Sequence, residues 1–142
     1  MSLFVQAPLE DDGYCFACGQ ENPHGLAMRV GYEDQDQAAV CSIVLPERFQ
    51  GWAGIAHGGV VSTMLDEIMA HAVVHFVGLG MTAAMESRYR APVPLGQELL
   101  VRGWIAKHRG PLAETAAWVK LASDQQILAE AKAKFLLRPL GK

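Results

Sequence analysis

HGGVVSTMLDEIMAHAVVHFVGLG, residues 57–80, decides the fold of this chain. Its apolar positions fall in pairs at 60/61, 64/65, 68/69, 72/73 and 76/77, recurring nearly every turn. That spacing predicts an α-helix over residues 58–77, buried on most sides. Gly78-Leu79-Gly80 ends it, as a capping glycine does. Gly58 and Gly59 stand at its mouth, where first-turn N–H groups have no helical acceptor and the dipole favours an anionic oxygen. Asp66 and Glu67 sit about two turns further on, and a carboxylate in an apolar helix is costly unless something uses it. An oxyanion-binding end plus a carboxylate is the equipment for hydrolysing an activated ester.

Such a helix needs partner surfaces, and the rest of the chain supplies strands. Leu26, Met28, Val30 and Tyr32 alternate with polar or small residues, predicting a strand over 26–32; a second covers 38–45. After the helix, strands are expected over 81–90, 98–108, 112–122 and 127–138, with turns at Pro92-Val93-Pro94, Arg109-Gly110-Pro111 and Ser123-Asp124-Gln125. In the last, Ile127, Ala129, Ala131, Ala133, Phe135 and Leu137 share one face, whose small alanines let a helix lie close. Residues 1–25 read as an N-terminal loop region, with turn signals at Pro8, Asp11-Asp12-Gly13 and Asn22-Pro23-His24-Gly25, and residues 46–55 as a second loop. One long helix among about six antiparallel strands predicts an α+β fold in which a curled sheet wraps the helix. Residues 1–142 form a single domain on this reading.

Apolar residues make up 51% of the chain and charged ones 19%, which favours burial in an oligomer. A net charge of −3 argues against nucleic-acid binding and requires any anionic ligand to find a local basic patch. Three cysteines and no signal-like start predict reduced thiols and a cytoplasmic protein. Asp66, Glu67, His71 and His75 interrupt the apolar run at 60–77, so it is not a membrane span. Cys15-x-x-Cys18-Gly19 has the look of half a zinc knuckle, but only scattered His24 and Cys41 are on offer as further ligands. A packed loop without metal is the expectation. His71 and His75, one turn apart with no third ligand nearby, read as helix surface or interface. Trp52, Trp104 and Trp118 read as core or interface, Trp52 lying beside the helix mouth.

His57-Gly58-Gly59 with Asp66 seven positions after Gly59, Thr82 opening the next strand, and Ser87-Arg88-Tyr89-Arg90-Ala91-Pro92 form an ordered set. Cys15-Phe16-Ala17-Cys18-Gly19 and Asn22-Pro23-His24-Gly25-Leu26 precede it. In order and spacing, across roughly residues 15–138, these resemble the hot-dog-fold acyl-CoA thioesterases, in the branch that includes the phenylacetate-pathway enzyme. The resemblance implies that Asp66 is the nucleophile or general base, the Gly58 N–H an oxyanion donor, and Thr82 the holder of the attacking water. Gly51 departs from that branch, which often carries an asparagine there to bind the thioester carbonyl; neighbouring Gln50 is the candidate substitute. The implied reaction is hydrolysis of an acyl-CoA to free acid and coenzyme A without a cofactor, coenzyme A being part of the substrate.

Gly58 and Asp66 are eight residues apart, about 12 Å along a helix. A carboxylate, a water and a carbonyl on the oxyanion site must meet at roughly 3 Å contacts. The site is therefore expected to join Gly58 of one subunit to Asp66 of a two-fold mate, making a dimer obligatory and a tetramer plausible. Further substrate contacts are assigned to Gly59, Gln50, Gly51, Trp52 and Glu67, although Glu67 points about 100° from Asp66 and is expected to pair with a base. Lys107-His108-Arg109 is the leading patch for coenzyme A phosphates, with Arg88 and Arg90 next. His57 either polarises the site or packs as a buried histidine beside the loop. Competing readings are a hot-dog hydratase or dehydratase pairing His57 with Asp66 across subunits, and a non-catalytic acyl-CoA-binding module, against which Asp66 counts.

Overall fold

A computed structural model describes residues 9–138. The elements are β1 (Gly31–Glu33), β2 (Ala38–Val44), α1 (Gly58–Phe76), β3 (Gly80–Tyr89), β4 (Glu98–Arg109), β5 (Leu112–Leu121) and β6 (Ile127–Leu137). The strands form one antiparallel sheet in the order β1-β2-β4-β5-β6-β3, wrapped around the helix as the hot-dog reading expects. The loop expected before the first strand is present over residues 9–25, while the turn expected at Pro8 lies outside the described residues.

Val61, Met64, Leu65, Ile68, Met69, Ala72 and Val73 of α1 are buried, a stripe at i, i+3, i+4 spacing that faces the sheet. Each of the larger side chains contributes roughly 1.5–3 kcal/mol by leaving water. The opposite face is more open than expected: Val74 and His75 are exposed. Alanines of β5 and β6 (Ala113, Ala117, Ala129, Ala131, Ala133) line the contact. In β4 even alanine is too large: a Cβ at Gly103 would stand 2.9 Å from Ile68 Cγ2 and 3.0 Å from its carbonyl carbon. The helix thus rests on bare backbone at Gly103, which fixes its height above the sheet.

Three expectations need correcting. The strand expected over 26–32 is reduced to Gly31–Glu33. Leu26 and Met28 are buried, but their N–H groups donate to Phe16 and Ala17 of the N-terminal loop at 2.8 and 2.9 Å, and Ala27 has φ 51°. In β6 the register shifts opposite Val119 and Lys120, so Leu128 is buried and Ile127 is exposed. Trp104 and Trp118 are not core; they lie half-buried among the alternating residues of β4 and β5 that face away from the helix, with the Lys120 ammonium 4.2 Å from the Trp118 ring.

Among the described residues, no helix is long and apolar enough to cross a membrane. The sheet has two edges, a three-residue β1 and a ten-residue β3. Only the second is long enough to offer a continuous row of backbone groups to another strand.

Candidate active site

The loop before α1 folds back on itself and aims the helix. Gly51 N–H donates to Ile55 O at 2.8 Å, Ala56 N–H to Val93 O at 2.8 Å, and His57 N–H to Phe49 O at 2.9 Å, with Phe49 buried. Gly51 lies so near the helix start that a Cβ there would be 3.0 Å from His57 Cα. An asparagine at this position would require His57 to give way by a few tenths of an ångström.

His57 is the N-cap residue. Its Nδ1 accepts the Gly59 N–H at 2.9 Å, and its carbonyl accepts from Val60 and Val61 at 2.9 and 3.1 Å. The ring is exposed, correcting the buried histidine expected as one alternative. These bonds leave Gly58 as the first-turn donor without an acceptor among the described residues. Gly51, Trp52, Ala56, His57 and Gly58 line a cleft of about 400 Å³ at this mouth. Trp52, which the sequence placed in a core or interface, is 83% exposed at its rim. The Tyr89 hydroxyl donates to the Gly58 carbonyl at 3.0 Å and touches Ser62 Oγ. Sequence reasoning gave Tyr89 and Ser62 no role; the available signals were Tyr89's place in the 87–92 motif and Ser62's position one turn after Gly58.

Asp66 belongs to a different station. Its half-buried Oδ1 accepts from Thr82 Oγ1 at 2.6 Å, across to β3 where the β3–β6 register shifts between Thr82 and Ala84. Burial pushes the Asp66 carboxyl above its ordinary value; the Thr82 hydrogen bond pulls it back and the Glu67 charge adds to the rise. A carboxylate tuned upward and held by one donor is suited to taking a proton from water.

The two stations lie towards opposite ends of the sheet. Tyr89, beside Gly58, pairs with Ala129, whereas Thr82, beside Asp66, pairs with Phe135, then Ala113, then His108. Lys107 and Arg109 flank that last residue, are exposed, and so share the Asp66 end. Arg88 and Arg90 are exposed but already engaged by carboxylates, Glu86 at 3.2 Å and Glu130 at 2.8 Å. Gln50 Oε1 accepts the Gly54 N–H at 2.9 Å, which turns the side chain into its own loop. Glu67, assigned above to substrate, faces neither station. It meets His71 at 3.2 Å, the basic partner expected, and accepts from the Cys15 thiol at 3.5 Å. Burial would raise its carboxyl, but the hydrogen bonds from His71 and Cys18 outweigh that and hold it below its ordinary value.

The sequence profile of the thioesterase superfamily matches residues 53–127. Acyl-coenzyme A thioesterase THEM4 of Xenopus laevis is 28% identical over 112 residues, covering 79% of this chain and 50% of that protein. The chain thus spans about half the length of the relatives it matches. Among solved structures, the thioesterase superfamily protein RHA08564 aligns with a TM-score of 0.82 at 27% identity, covering 87% of this chain and 60% of that one. The smu.793 protein of Streptococcus mutans, solved bound to acetyl CoA, aligns with a TM-score of 0.71 at 18% identity, covering 79% and 91%.

Proposed function

This chain belongs to the thioesterase superfamily, and we propose that it hydrolyses an acyl-CoA thioester at a site shared by two copies of itself. The observation that carries this reading is the division of the helix into two stations: an unaccepted Gly58 N–H at its mouth and, about 12 Å on, a Thr82-bound Asp66.

In this reading the thioester oxygen rests on the Gly58 N–H, where the helix dipole offsets the charge that grows as the carbonyl is attacked. Asp66 of the partner removes a proton from the attacking water, or attacks directly to form an anhydride that water then opens. Either route releases a carboxylic acid and the coenzyme A thiol. The open edge of β3 supports the two-fold arrangement. Antiparallel pairing of two such edges about Met85 carries Thr82 of one copy towards Tyr89 of the other, roughly 10 and 14 Å from the axis on the same side. In this arrangement the partner's Gly58 would approach Asp66, and exposed Trp52 and Tyr89 would be covered. The acetyl CoA bound by a structural relative supports a coenzyme A ester as substrate.

A hydratase pairing His57 with Asp66 is disfavoured because the His57 Nδ1 already caps the helix. The deciding experiment is a thiol-release assay over a panel of acyl-CoA esters, with Asp66→Asn beside the parent chain. Turnover that disappears in the variant supports hydrolysis through Asp66. Full activity in the variant, or hydration of an enoyl ester without thiol release, would overturn it.

A further inference from the structure

Cys15, Cys18 and Glu67 form a cluster that the hydrolytic reading leaves unused. Their donor atoms all lie within 4.8 Å of one another, with Cys15 Sγ 3.5 Å from Glu67 Oε2. Adjacent ligands on a tetrahedral zinc, with bonds of about 2.3 Å to sulfur and 2.0–2.1 Å to oxygen, stand roughly 3.5–3.8 Å apart. The Cys15–Glu67 pair already has that spacing, and Cys18 lies within 4.8 Å of both.

The loop is also shaped to hold a thiolate. Backbone N–H groups of Ala17 and Cys18 both point at Cys15 Sγ, at 3.4 Å each. Gly19 closes the turn where no side chain fits: a Cβ there would lie 2.3 Å from Cys15 N and 2.5 Å from Gly13 O. The carboxylate is anchored on the same oxygen that faces Cys15: His71 Nε2 is 3.2 Å from Glu67 Oε2, and His71 Nδ1 is 2.8 Å from the Tyr32 hydroxyl. Metal-binding carboxylates are themselves oriented by outer-shell hydrogen bonds of this kind. A cavity of about 360 Å³, lined by Asp11, Cys18, Glu67 and His71 among others, gives an ion a way in.

We propose that Cys15, Cys18 and Glu67 bind one divalent zinc ion, with His71 as the positioning residue for Glu67 and the cavity side free for a fourth ligand. Binding displaces two thiol protons to solvent and forms two Zn–S bonds and one Zn–O bond, with no change of oxidation state. The ion ties the N-terminal loop to the middle of α1. This revises the expectation of a metal-free loop. His24 and Cys41, the ligands sought in the sequence, play no part: His24 is exposed in the loop and Cys41 is buried in β2. The proposed third ligand lies 49 residues after Cys18, on the helix.

The test uses the full chain, reduced, with Zn²⁺ and Co²⁺ as probes. About one equivalent of Zn²⁺ should bind per chain. Co²⁺ should give sulfur-to-cobalt charge-transfer bands and the visible spectrum of a tetrahedral site. Both signals should vanish in Cys15→Ser and Cys18→Ser and persist in Cys41→Ser. Glu67→Gln and His71→Ala should each weaken Zn²⁺ binding at least about tenfold. Should a variant fail to fold, the parent chain still decides the matter: Zn²⁺ should protect Cys15 and Cys18 from alkylation, read by mass spectrometry. Substoichiometric binding, an octahedral cobalt spectrum, alkylation indifferent to Zn²⁺, or bands that survive loss of both cysteines would each overturn the site.

Discussion

Thr82 Oγ1 donates to Asp66 Oδ1 at 2.6 Å, so the first turn of β3 holds the carboxylate that α1 carries into a half-buried position. Asp66→Asn keeps an oxygen for that bond and removes the proposed base. Thiol release is expected to fall at least about 100-fold while the fold persists. Thr82→Val removes the donor. Because the bond favours the charged carboxylate, its loss lifts Asp66 further, and the acidic limb of kcat/KM against pH should move to higher pH. Thr82→Ser should restore the parent profile. A limb that stays put in Thr82→Val would detach this threonine from the acid.

The shared site is testable by mixing two dead proteins. Gly58 is the first residue of α1, and His57 before it has φ −58° and ψ 135°, a conformation compatible with a following proline. Gly58→Pro therefore deletes the N–H with little disturbance. Gly58→Pro and Asp66→Asn should each be inactive alone. Unfolded and refolded together in equal amounts, they should recover about a quarter of parent activity, since half the dimers are mixed and each mixed dimer holds one intact site. No recovery would assign both groups to one chain.

His57 has a measurable structural duty. Losing the Nδ1 acceptor in His57→Ala should cost about 0.5–2 kcal/mol in urea denaturation, and His57→Asn, a good capping residue, should recover most of it. Equal stability of all three chains would remove the cap from the account.

Gly103→Ala drives a methyl against Ile68 and should destabilise by about 1–3 kcal/mol. Gly31→Ala, where the nearest atom to the new Cβ is Val40 Cγ2 at 3.8 Å, should change stability by less than about 0.5 kcal/mol. Chemical denaturation of the pair measures the difference directly.

Lys107 and Arg109 sit at the Asp66 end of the sheet, exposed and available to phosphate. Reversing both charges should raise KM for an acyl-CoA roughly three- to tenfold at low salt, with the gap closing as ionic strength rises. A short acyl thioester without nucleotide should be unaffected. An unchanged KM for the coenzyme A ester would move the phosphate site elsewhere.

The helix and strands β4 to β6 were legible because their burial repeats at fixed periods: 61, 64, 65, 68 and 69 in α1, and 129, 131, 133 and 135 in β6. The first strand misled because Leu26 and Met28 alternate correctly but bury themselves against a loop, with Ala27 breaking the extended backbone. Gly103 carried no signal, since its meaning lies in Ile68, 35 positions away. Asp66 and Thr82 were named through the family resemblance, whereas Tyr89 and Ser62 make contacts that appear only when β3 crosses the helix mouth. Glu67 was read by its angle from Asp66; its proximity to Cys15 depends on how the N-terminal loop returns to the helix.

Gly58 and Asp66 ride on one straight rod, and the rod's seat is the bare backbone of Gly103. In a two-fold assembly a tilt of that rod displaces the oxygen grip of one reaction centre and the proton acceptor of the other at once, and the mate does the same in return. A single substitution under the seat therefore injures both centres twice over, and catalytic loss should outrun thermal loss for changes at this remote contact.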